Sequence, residues 1–96
     1  MPTAMWKNKI IAEAAENDVI TLEGNVYFPP QYVDQQYLAH SDKHTICPWK
    51  GTASYYDIVV DNQINAGAAW TYLEPKEAAK KIAGYIAFWR GVTIVA

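Results

Sequence analysis

The chain has 96 residues, 51% of them hydrophobic and 19% charged, with a formal net charge of −2. A sequence of that size and composition supports one packed domain, leaves no room for two independent cores and excludes wholesale disorder. Its slightly acidic balance, with eight scattered Lys and Arg residues, lacks the basic stripe of a general nucleic-acid binder.

In chain order, a turn-like Lys7-Asn8-Lys9 leads into a first strand in KIIAEA, residues 9–14. VITLEGNVYF predicts a hairpin: Val19 to Leu22, a Glu23-Gly24-Asn25 turn, then Val26 to Phe28. Gly24 and Asn25 tolerate the positive φ of such a turn, and Pro29-Pro30 ends the strand because neither can donate to a ladder. PQYVDQQYLA reads as a short helical turn followed by a strand through Tyr37 and Leu38. The strongest strand signal is TASYYDIVV, rich in β-branched and aromatic residues. Asp61-Asn62 supplies turn chemistry, and QINAGAAWTY returns as a strand in which Gly67 marks a bulge or close approach.

EPKEAAKKIAGY predicts the one helix. Pro75 suits its first turn, Glu74 and Glu77 suit the positive end of the dipole, Ala78, Ala79 and Ile82 form an apolar face, and Gly84 is a cap. YIAFWRGVTIVA reads as a final hairpin turning at Arg90-Gly91. Roughly seven or eight short strands and one short helix define a mainly β, antiparallel, single-domain fold. The helix has too few apolar and basic positions for a membrane-surface anchor. An exposed strand edge would let two copies pair as a dimer.

The chain has a single cysteine, Cys47, which excludes an intrachain disulfide framework and fits a reducing cytoplasm. The first eighteen residues are too charged for a signal peptide, and no apolar run reaches the length of a membrane span. A cytoplasmic domain with no membrane or nucleic-acid partner is the expectation.

Several segments occur together in a recognisable order: YFPP at 27–30, a Ser ahead of a His/Thr pair within 41–45, CPWKGTASYY at 47–56, AAWTYLEP at 68–75 and IAGYIAFW at 82–89. Over residues 8–95 the sequence resembles the family called domain of unknown function 427, which also carries a nucleotidyltransferase-like label. The resemblance implies a small antiparallel β-tent fold, shared with the ligand-binding domain of cereblon, the Yippee proteins and methionine sulfoxide reductase B. Many of those relatives hold zinc with four cysteines. With one cysteine, no structural zinc is expected in this chain. The nucleotidyltransferase label has little support in the residues: such chemistry needs paired carboxylates holding metal ions, and neither EGN nor KGT is a phosphate loop.

Three constellations carry chemistry. Cys47 reads as a thiol nucleophile activated by His44 or Lys50, or as a small buried hydrophobe, and packing is the favoured reading. His40, His44 and Cys47, with Asp42 as the nearest oxygen donor, are a weak metal set. Lys50, beside the permissive Gly51 and among Trp49, Tyr55 and Tyr56, is either a solvated turn residue or a point-charge partner for an anion.

Aromatic residues make up 14% of the chain, including four Trp and seven Tyr, and their polar tips make them costly as pure core filler. Trp70 and Tyr72, two apart on a strand, share a face. In the family picture that strand lies near the Cys-Pro-Trp-Lys-Gly turn. The expectation is an aromatic pocket rimmed by Cys47, Trp49, Lys50, Tyr55, Trp70 and Tyr72. It would bind a small anionic or aromatic ligand, with Trp49, Lys50, Tyr55, Trp70 and Tyr72 as contacts. The alternatives are an enzyme using Cys47 or Lys50 with His44 as acid/base, and a structural or protein-interaction domain. No cofactor is named by the residues.

Overall fold

Four two-residue turns organise the computed structural model, which describes residues 1–96. Both central residues take positive φ in Lys7-Asn8, Glu23-Gly24, Asp61-Asn62 and Arg90-Gly91. That is the geometry whose twist matches paired antiparallel strands. Three of these turns close hairpins: β1 (Thr3–Trp6) with β2 (Lys9–Glu13), β3 (Ile20–Leu22) with β4 (Asn25–Tyr27), and β6 (Gly51–Val60) with β7 (Gln63–Thr71).

The fourth turn does not. β8 (Ile86–Phe88) pairs with β7, while β9 (Thr93–Val95) pairs with β1. The Arg90-Gly91 turn therefore passes the chain from one sheet to another, and the expected C-terminal hairpin is corrected to a crossover. Local turn chemistry is the same in both cases; the choice of partner is made by β1, which the sequence reading left without structure.

β5 (Leu38–Cys47) is a ten-residue edge strand, most of whose side chains are exposed. It completes a four-stranded sheet of order β5-β6-β7-β8, while β2-β1-β9 forms a second sheet. Phe28 and Ile86 exchange backbone hydrogen bonds, both 2.8 Å, so the β3-β4 hairpin is tied to the free edge of β8.

The predicted helix over 74–85 is reduced to 3-10 turns at Glu77–Ile82, interrupted at Ala79, whose φ of −120° and ψ of 20° are not helical. Between Pro75 and Gly84 there is too little chain to offset the cost of helix nucleation. What holds the segment is burial of Ala79 and Ile82 together with the Gly84 amide donating to the Tyr72 carbonyl.

The four-stranded sheet has two different faces. On one, Ile58, Val60, Ala69, Ile86 and Phe88 pack with Phe28 against Ala4, Ile11 and Ala12 of the smaller sheet, forming the main core. On the other, Ala53, Tyr72 and Ala87 pack with Tyr27, Ala79 and Ile82 into a second cluster flanked by Cys47, Tyr55 and Trp70. The β3-β4 hairpin and the 3-10 segment cover part of this second face. The rest is open, and the aromatic side chains meet there.

Candidate functional site

Register decides which aromatics converge. Tyr55 lies opposite Trp70, and Trp70 opposite Ala87, so all three project to the second face. Tyr72 and Trp89 follow two residues after Trp70 and Ala87 and extend the row. Lys50, Tyr55, Trp70, Tyr72 and Trp89 line an open cavity of about 210 Å³. Trp70 is its centre: its ring meets Tyr27 at 6.2 Å and Trp89 at 6.0 Å, both edge-on, and Tyr55 at 6.4 Å. These are separations at which ring quadrupoles attract. The indoles are anchored through their N–H groups, Trp70 Nε1 donating to the Tyr27 hydroxyl at 3.3 Å and Trp89 Nε1 to the Gly67 carbonyl at 2.6 Å. Thr45 Oγ1 and the Tyr55 hydroxyl share a hydrogen bond of 3.0 Å.

Lys50 sits in the cavity wall because Gly51 follows it. Gly51 takes φ of +110°, and the Lys50 carbonyl accepts from the Lys76 amide at 2.8 Å, which pins the turn to the segment after β7. The Lys50 side chain is only 10% exposed and its ammonium donates to the Glu23 carboxylate. It lies 5.4 Å from the ring centres of both Trp49 and Tyr72. Burial pulls the ammonium toward losing its proton, but the Glu23 hydrogen bond and the charges of Tyr27, Tyr72 and Glu23 outweigh it and hold Lys50 above its ordinary value of 10.5. Burial likewise raises the Tyr72 phenol above 10.0, opposed by Lys50. At neutral pH the wall therefore presents a fixed ammonium and an intact phenol, not a free amine nucleophile.

The structure thus brings Lys50, Tyr55, Trp70 and Tyr72 together, with Trp49 on the outer side of Lys50. It adds Trp89 to the lining. Glu23 and Lys43 are participants that the sequence reading did not name. Glu23 carries a φ of +54°, uncommon for a residue other than Gly, Asn or Asp, and this turn geometry carries its carboxylate to Lys50. Lys43 lies with its ammonium 4.7 Å from the Tyr55 ring centre and 5.4 Å from that of Trp89.

The thiol constellation is split. Cys47 pairs with Gly51 and His44 with Ser54, in regular register, so residues three apart project to opposite faces of the sheet. Cys47 is half-buried against the second cluster. His44 turns the other way, its Nδ1 3.3 Å from Ser54 Oγ, toward a polar depression that includes Glu74 and Lys76. His40 packs on Tyr56, ring centres 5.5 Å apart. No three His, Cys, Asp or Glu side chains gather anywhere in the chain, so His40, His44, Cys47 and Asp42 do not form one donor set.

The geometry defines a small antiparallel β protein with an aromatic cleft walled by a buried lysine, and no helix of the chain is long and apolar enough to cross a membrane. The sequence profile of a family described as a domain of unknown function (DUF427) matches residues 3–95, and the chain belongs to that family. The match reaches the N-terminal strand as well as the motifs around Cys47 and Trp70. No curated protein matches the sequence.

Proposed function

We propose that the chain is a small-molecule-binding domain whose ligand is a compact, flat, aromatic compound held in the cleft between Tyr55, Trp70, Tyr72 and Trp89. The observation that supports this reading is the convergence of four rings, three of them anchored by hydrogen bonds, and one buried ammonium around a cavity of about 210 Å³. Rings held by hydrogen bonds at their polar tips keep their shape without a ligand, and a preformed apolar cleft with a few fixed polar groups is the usual form of a ligand site. That volume lies below the range common for drug-sized ligands, which favours one or two fused rings. The Lys50–Glu23 pair would supply a donor and an acceptor at one end. The unpaired Cys47 fits a reducing compartment, and we place the domain in the cytoplasm on that ground.

An interaction domain is the second reading, and it rests on Ile46, Ile64 and Leu73, which are 81%, 67% and 61% exposed. They are scattered single residues, which are ordinary on a protein surface.

The test is an NMR screen with small neutral aromatic fragments, indole among them, following the four Trp indole N–H signals. Shifts centred on Trp70 and Trp89 and lost in Trp70→Leu support the reading. Fragments that leave both signals unmoved, or that act equally on Trp6, count against it. A native mass spectrum of freshly purified protein would add the identity of any ligand it carries and the oligomeric state.

A further inference from the structure

We infer that the anionic end of the ligand is read by Lys43 at the mouth of the cleft, and that the site selects aromatic compounds bearing a single carboxylate or comparable anion. The inference rests on the cleft reading above and adds its charge preference. Lys50, the cation that the sequence singles out, has its charge opposed by Glu23 in the only ion pair of the chain. A second anion placed there would have to displace or approach a carboxylate. Lys43 has no such partner. Asp57, across the sheet, is engaged by the Gly67 amide at 2.8 Å. Lys43 and Arg90 both lie over the Trp89 ring, 5.4 and 4.6 Å from its centre, and neither forms an ion pair, so two cations meet at the rim.

The backbone delivers Lys43 to that position. β5 carries a bulge between His40 and His44, so that Ser41, Asp42 and Lys43 together face Tyr55. Ser41 Oγ accepts from the Lys43 amide at 3.1 Å and braces the bulge. Bulges re-aim a side chain out of regular alternation and recur next to binding sites. A second irregularity, between Tyr56 and Ile58 against β7, places Gly67 beneath the lysine stem, where a methyl group in place of its hydrogen would come within 3.7 Å of Lys43 Cδ. The stem crosses the β7 backbone where no side chain obstructs it, and the ammonium comes to rest over Tyr55 and Trp89. An ammonium resting on ring faces keeps its donors available, so an anion on a ring seated below would meet a cation already in place.

The experiment compares naphthalene-2-carboxylate with naphthalene-2-methanol, read by the Trp70 and Trp89 indole signals. The carboxylate should bind about tenfold more tightly, as one charge-assisted hydrogen bond provides. Lys43→Gln should erase that preference, read as the ratio of the two affinities, while Lys43→Arg restores it. Because Lys43 is exposed, added salt should shrink the preference. A preference that survives Lys43→Gln, or equal affinities in the unmodified protein, overturns the assignment to Lys43 and leaves the cleft reading intact. Failure of both compounds to bind overturns the cleft reading and the assignment with it.

Discussion

The Lys50 ammonium and the Glu23 carboxylate meet across 27 residues of sequence, the first almost buried and the second 47% exposed. That inequality makes the pair asymmetric. Glu23→Gln leaves a buried ammonium without its counter-charge and should cost about 2 kcal/mol. Lys50→Met leaves a carboxylate that water can reach and should cost less than about 1 kcal/mol. Urea unfolding of the two variants measures the difference, and equal costs would show that the pair behaves as an ordinary surface bridge.

Alkaline pH should destabilise the fold through two groups at once. Lys50 and Tyr72 both hold their protons to higher pH in the folded chain than their ordinary values of 10.5 and 10.0 allow. Between the ordinary and raised values the folded state binds more protons than the unfolded one, so stability falls as pH rises. The contribution is intact below about pH 10 and is lost above it. Urea midpoints at neutral and alkaline pH should show the decline, and Lys50→Met should flatten it. A midpoint that stays level into the alkaline range would contradict the prediction.

Gly51→Ala should destabilise by about 1–3 kcal/mol and weaken binding in the cleft. The cause is the backbone: φ is +110°, while the nearest atoms to an added methyl group, at 3.5–3.6 Å, are at ordinary contact distances. A lysine anchored through the next residue's conformation cannot keep its place when that conformation changes. Thermal unfolding together with fragment binding in the variant checks both parts.

Cys47 should react with thiol reagents independently of His44. The two side chains occupy opposite faces of β5, so His44→Ala should leave the pH–rate profile of Cys47 alkylation unchanged. A profile displaced in His44→Ala would restore the thiol–imidazole pair as a chemical unit.

Much of the fold is legible in the turns. Gly24 and Asp61-Asn62 announce hairpins because few residues accept positive φ, and the strands beside them carry β-branched or aromatic side chains. β5 is hidden because an edge strand exposed over most of its length, with HSDKHT at its centre, has no buried face to impose alternation. The segment from Glu74 to Tyr85 has helical composition, but composition carries no information on whether there is enough chain between Pro75 and Gly84 to propagate a helix. The aromatic row on β6 and β7 can be read from spacing once the strands are assigned. Lys43 and Glu23 cannot, since one is aimed by a bulge and the other by a turn strained at a non-glycine residue. Both depend on partners distant in sequence.

Thr3 stands opposite Val95, so the first and last strands are zipped together in the sheet on the far side of the molecule from the cleft. A contact that spans nearly the whole chain pays the loop-closure entropy of everything between, whereas the β6-β7 hairpin needs only a two-residue reversal. We expect assembly to run in that order, the cleft-bearing sheet first and the β2-β1-β9 sheet closing behind it. Pulsed hydrogen exchange during refolding would then protect Tyr55 and Trp70 amides before those of Ala4 and Ile94, and the reverse order would refute it. On that schedule the cleft takes shape before the core that stabilises it, and a ligand present during folding would meet a formed site in a chain not yet closed.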